Sequence, residues 1–120
     1  MRTSHLVVGS LLVLGTLAIA CKETTMADRP CPPEGTKLTY DNFGKGFLDA
    51  NCQRCHGVPS DDRKGAPSGY DFSSAADARR FRERIFTRAA ADNTTMPPGP
   101  DDPAEPEREK LAEWLSCGAP

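Results

Sequence analysis

Apolar bulk is scarce in this sequence: hydrophobic residues fill 38% of the 120 positions and aromatics 7%. A chain this short has room for one domain, and so lean an apolar complement excludes a large self-sufficient core. Domains of this kind rely on a staple, whether a disulfide, a metal or a cofactor. Charge excess is missing too. The formal net charge is −2, which excludes an electrostatic nucleic-acid binder. No alternating run marks a strand, no internal repeat is present, and no acid–base pair or nucleophile constellation argues for an enzyme. The one long uncharged apolar run, residues 6–20, falls short of the roughly 20 residues a membrane-spanning helix needs.

Turn formers and thiols, by contrast, are plentiful. Eleven prolines and ten glycines put much of the backbone in turns and loops. Five cysteines in so short a chain require an explanation, and the compartment decides which one. The N-terminus speaks to that. Arg2, the apolar run 6–20, the small residues that close it and then Cys21 follow the three-part layout of an export signal, so residues 1–20 are set aside from the fold. Ala18-Ile19-Ala20 fits ordinary signal cleavage. Leu17-Ala18-Ile19-Ala20-Cys21 also resembles a bacterial lipobox, in which Cys21 is lipidated, although Leu17 stands one place too early. Cysteine parity favours lipidation of Cys21, which would otherwise be an odd thiol in an oxidising compartment.

Residues 21–37 are polar, proline-containing and aperiodic, and read as a disordered tether before a domain at 38–120. Three helices are expected in that domain. The first, over about 40–51, has Phe43, Phe47, Leu48 and Ala50 on one side. Gly44 and Gly46 weaken it and mark close packing on a neighbour. The second, over about 74–90, opens with a Ser74–Asp77 capping box and carries Ala78, Phe81, Ile85 and Ala89 as its buried stripe. Arg80, Arg84 and Arg88 lie on an adjacent face. The arginines of 79–88 could dock an acidic partner or reach the carboxylates of a bound cofactor, but a solvated face is the preferred reading for most of them. The third, over about 103–116, is expected to use Asp102 as N-cap and Pro103 as its first residue, to bury Leu111, Trp114 and Leu115, and to end at Gly118.

One motif carries chemistry. Cys52-Gln53-Arg54-Cys55-His56 is a C-x-x-C-H run, the signature of covalent haem attachment. Two thiols at this spacing on a helical turn can each bond a porphyrin vinyl group, and the next residue then supplies an imidazole to the iron. A thioredoxin-like redox pair would want a βαβ setting, which is lacking. A zinc site would need a further cysteine, and Cys31 and Cys117 stand far off in sequence. The only other histidine, His5, lies in the export signal, so the second axial ligand falls to a methionine. Met26 is in the tether. Met96 lies in Thr94-Thr95-Met96-Pro97-Pro98, where prolines stiffen the loop, and is the candidate distal ligand.

From about Leu38 to Cys117 the chain resembles a small class I cytochrome c, with a helix before C-x-x-C-H, a methionine loop and a closing helix. The resemblance implies an all-α fold of about three helices wrapped around one haem c. It also implies that Gly44 and Leu48 pack on Leu111 and Trp114, with Leu48 where phenylalanine is common and Phe47 adjacent. A proline carbonyl is expected to accept the N–H of the axial histidine, with Pro67 or Pro59 as the donor's partner. Cys31 and Cys117 are the candidate disulfide, although either could pair with Cys21. The expected activity is single-electron transfer in the periplasm or cell envelope, between redox proteins, with a lipid anchor at Cys21. A haem enzyme or gas sensor with an open sixth position is the alternative. A zinc- or disulfide-stabilised binding module is a more distant one.

Overall fold

The computed structural model describes residues 22–100 and 102–120; residues 1–20, read as an export signal, and the lipidation candidate Cys21 lie outside them. Every regular element among the described residues is helical. The first begins as a π-turn at Tyr40–Gly44 and continues as α1, Lys45–Asn51. Thr39 starts it with a capping box: its hydroxyl accepts from Asn42 N at 3.1 Å, and Asn42 Oδ1 accepts from Thr39 N at 2.7 Å. Cys52, with φ −120° and ψ −39°, interrupts the helix, and the single turn α2, Gln53–His56, follows.

The expected second helix is two helices, α3 at Ala75–Arg80 and α4 at Arg82–Ala89. Ser74 opens α3 as expected, accepting from Asp77 N at 3.1 Å and donating to its carboxylate at 2.6 Å. The break is at Phe81, whose φ of −102° and ψ of 10° leave the helical region. Ala78, Ile85 and Ala89 are buried as the stripe requires. Phe86 joins them fully buried, while Phe81 is only half-buried.

The last helix, α5, runs over Glu105–Ser116. Its start corrects the sequence reading. Ala104 is the N-cap and makes no side-chain cap, Asp102 and Pro103 stay outside the helix, and Pro106 stands in the first turn, where its missing N–H does little harm. Its end is as expected. Gly118, at φ +95°, donates to Leu115 O at 3.0 Å, and Ala119 N donates to Trp114 O at 2.9 Å, the two bonds of a Schellman cap.

Leu48, Phe86, Leu111, Trp114 and Leu115 are fully buried and form the centre of the core. Gly44 lets α5 approach: a Cβ there would overlap the Trp114 indole ring. Phe43 completes the contact, edge-on to Trp114 at 6.1 Å. Gly46 has no such reason, because a Cβ there would meet nothing within 4 Å.

Residues 22–37 form no regular element, but they are not a disordered tether. They lie along the helices because polar side chains fasten them. Asn93 accepts from Thr24 N at 3.1 Å and donates to Thr24 O at 2.8 Å. Arg29 reaches Glu109 at 3.1 Å, and Thr36 donates to Glu113 at 2.6 Å. Met26 packs on the core. Cys31 meets Cys117 with Cα atoms 4.8 Å apart, across 86 residues of sequence, in the arrangement of a disulfide. No helix among the described residues is long and apolar enough to cross a membrane.

Candidate haem-binding site

The turn α2 carries Cys55 and His56, with Cys52 as its N-cap. Gly57 lets the chain leave at once: its N–H closes the turn on Gln53 O at 2.9 Å, and a Cβ at Gly57 would crowd that same carbonyl. The chain then makes a loop over 57–71 and returns to the turn. Phe72 N donates to His56 O at 2.8 Å, Gln53 Nε2 donates to Phe72 O at 2.5 Å, and the His56 and Phe72 rings stack at 4.6 Å. The base of the loop is therefore pinned on both sides of His56.

His56 Nδ1 lies 2.6 Å from Tyr70 O. A backbone carbonyl has no proton to give, so Nδ1 carries the hydrogen and donates it. That choice of tautomer leaves the Nε2 lone pair free for a metal. The carbonyl is thus Tyr70's, and neither Pro67 nor Pro59 takes the role. Pro67 O is engaged instead by Arg63 at 2.9 Å. Sequence offers no sign of Tyr70, because a main-chain acceptor can come from any residue type.

Cys52, Cys55, His56 and Met96 line one cleft of about 270 Å³. Ile85, Ala89 and Phe72 give it apolar walls, and Tyr70 and Pro67 stand at its side. The methionine loop is held to the end of α4, where Met96 N donates to Arg88 O at 2.8 Å and the Thr95 hydroxyl donates to the same oxygen at 3.1 Å. Met96 itself is 41% exposed. Arg84 and Arg88 also line the cleft, Arg84 exposed and Arg88 half-buried, so the solvated face they share borders the site. The Arg84 guanidinium lies 5.7 Å from the Tyr70 ring centre.

Burial pushes the Cys52 thiol up to about 12, and the neighbouring Cys55 adds to the shift. Cys52 therefore lacks the lowered pKa on which an activated thiolate of the thioredoxin type depends. Cys31 and Cys117 face each other rather than Cys52, and no group of three His, Cys, Asp or Glu that could hold a metal occurs among the described residues. A zinc site thus lacks its remaining ligands. Two free thiols, one imidazole with its Nε2 available and one thioether, all on an apolar cleft, suit a covalently held haem.

Helices around such a cleft define a small c-type cytochrome. The family model described as cytochrome c oxidase, cbb3-type, subunit III matches residues 42–115, and the chain belongs to that family of cytochrome c domains. Membership brings covalently attached haem c and haem-based electron transfer. No curated protein and no solved structure matches the chain.

Proposed function

We propose that this protein is a one-electron carrier of the cell envelope rather than a catalyst, with redox proteins as donor and acceptor. Cys52 and Cys55 hold the haem through thioethers, and His56 Nε2 and Met96 Sδ are the axial ligands. The gathering of these four side chains on one cleft, far apart in sequence as Met96 is from the rest, carries this reading.

Bound in this way, haem supplies a reversible Fe(III)/Fe(II) couple, and the protein's own residues set the conditions around it. Tyr70 O fixes the His56 ring and its tautomer. Ile85, Ala89 and Phe72 keep water from one side of the cleft. A thioether from Met96 favours the reduced iron and raises the potential. Arg84 and Arg88 supply cations for the haem carboxylates. With both axial positions filled by protein, no position remains for a substrate.

Residues 31 and 117 form a disulfide in this reading, and an oxidising compartment outside the cytoplasm follows from it. Residues 1–20 direct export, and lipid at Cys21 anchors the domain to the membrane surface.

An optical spectrum of protein made in a host that attaches haem c tests the proposal. Sharp α and β bands on reduction, with a weak near-infrared sulfur-to-iron band in the oxidised form, are expected. Haem without the sulfur band would favour an open sixth position and the sensor or enzyme reading. A colourless protein would overturn the proposal.

A further inference from the structure

The loop over 57–71 is organised by one side chain. Arg63 donates from Nε to Ala66 O at 3.2 Å, from Nη1 to Gly57 O at 3.2 Å and from Nη2 to Pro67 O at 2.9 Å. Nη1 also meets Asp71 Oδ1 at 2.6 Å. The two side chains are 23% and 28% exposed, the least exposed of the ion pairs among the described residues. Planar forked donors make this set of bonds possible, and a lysine could not reproduce it.

Arg63 has one further neighbour. Its Nη2 stands 3.5 Å from Tyr70 O, the same oxygen that takes the His56 Nδ1 hydrogen. At that distance the guanidinium acts on the carbonyl as a charge more than as a hydrogen-bond donor. A cation beside an acceptor draws electron density from it and weakens its hold on a competing donor. A weaker hold on Nδ1–H leaves the imidazole less electron-rich and a poorer partner for ferric iron. Asp71 opposes this by neutralising the guanidinium.

We propose that the Arg63–Asp71 pair tunes the hydrogen bond from His56 to Tyr70 O, and through it the reduction potential of the iron. The proposal rests on His56 being the proximal ligand. Arg63 is a positioning residue in it: it touches neither the imidazole nor the cleft, and it acts only through the Tyr70 carbonyl.

The charge argument makes a signed prediction that a purely structural role does not. In haem-loaded protein, Arg63→Gln removes the cation and leaves Asp71 uncompensated, so the potential falls. Asp71→Asn frees the cation, so the potential rises. Each shift is expected to change the one-electron equilibrium constant against a fixed reference couple by roughly threefold or more, on a scale where tenfold is 59 mV. The proton resonance of His56 Nδ1–H in the diamagnetic reduced protein should move in opposite senses in the two variants, towards a stronger hydrogen bond in Arg63→Gln. Should Arg63→Gln fail to fold, Asp71→Asn alone still decides the sign. Shifts in the same direction in both variants, or none with the His/Met spectrum intact, would overturn the proposal. Absence of haem or of the sulfur band in the unaltered protein would instead remove the ligand reading beneath it.

Discussion

Gly44 lies directly against the Trp114 indole, so closely that a single added methyl would occupy the space of the ring. Trp114 is fully buried and belongs to α5, so this one contact sets how near the first and last helices come. Gly44→Ala is expected to destabilise the fold by about 1–3 kcal/mol through overpacking. Gly46→Ala, two residues on and with open space around its would-be Cβ, should stabilise α1 by about 1 kcal/mol through helix propensity. Denaturant midpoints of the two variants measure both effects. Equal losses in the two would mean that α1 and α5 do not meet at Gly44.

Asn93 is buried and holds three main-chain groups: Thr24 N, Thr24 O and Phe86 O. Asn93→Ala leaves Thr24 N and Thr24 O without this partner, while Phe86 O keeps the Ala90 N–H, at about 1–3 kcal/mol for a buried unsatisfied polar group. The more specific result is local. Amide exchange around Thr24 and Met26 should speed up in the variant before exchange in α5 changes. Unchanged exchange there would mean that the segment is held by its other contacts alone.

The Cys31–Cys117 pair closes a long loop. Replacing both cysteines by serine should cost about 2–4 kcal/mol, since a disulfide acts mainly by restricting the unfolded chain. The visible spectrum of the haem-loaded double variant should stay that of the parent under native conditions, because neither residue lines the cleft. A changed spectrum would mean that the bridge shapes the site as well as the stability.

The Cys52 thiol makes a prediction about pH in protein isolated before haem attachment. Its value in the fold is about 12 against an ordinary 9.0, because burial disfavours the thiolate. Between those two values the unfolded chain loses a proton that the folded chain keeps. Stability contributed by this group is therefore full below pH 9 and falls as pH rises towards 12, by roughly 1.4 kcal/mol per pH unit. Alkylation followed by peptide mass mapping should leave Cys52 largely unlabelled at pH 9. Rapid labelling at that pH would show that its sulfur is solvated.

Met96→Ala is expected to empty the sixth iron position without unfolding the domain, because Met96 is half-exposed and its loop stays fastened through Thr95 to Arg88 O. Reduced protein should then bind carbon monoxide, while the parent is expected not to, and its potential should fall with the loss of the thioether. Carbon monoxide binding by the parent at similar concentrations would place Met96 off the iron.

Much of this site was legible because its chemistry is local. C-x-x-C-H needs its three reactive residues on one helical turn, and that constraint is written in adjacent positions. Helix ends were readable where a side chain or a glycine makes the cap itself, as Ser74 and Gly118 do. They were misread where the cap signal was present but unused, as at Asp102, which is passed over for Ala104. A cap residue is only one small contribution to where a helix begins, and packing of the preceding loop can outweigh it. Arg108 shows such packing, donating to Ala91 O at 2.9 Å and to Pro103 O at 2.6 Å.

By itself, then, the sequence determined the helical periodicity, the attachment motif, the near-absence of histidine that turns attention to Met96, and the small residue needed opposite Trp114. The first two follow from side-chain type at short spacing, the third from composition, and the pairing of Gly44 with Trp114 from the resemblance to class I cytochromes c. Only the tertiary structure decided that Tyr70 rather than a proline offers its carbonyl to His56, that Arg63 gathers the loop behind it, and that Arg84 and Arg88 turn to the cleft. It also decided that residues 22–37 lie fastened along the helices. Main-chain acceptors are the same in every residue, and long-range charge pairs have no fixed spacing, so neither leaves a mark that can be read before the chain has folded.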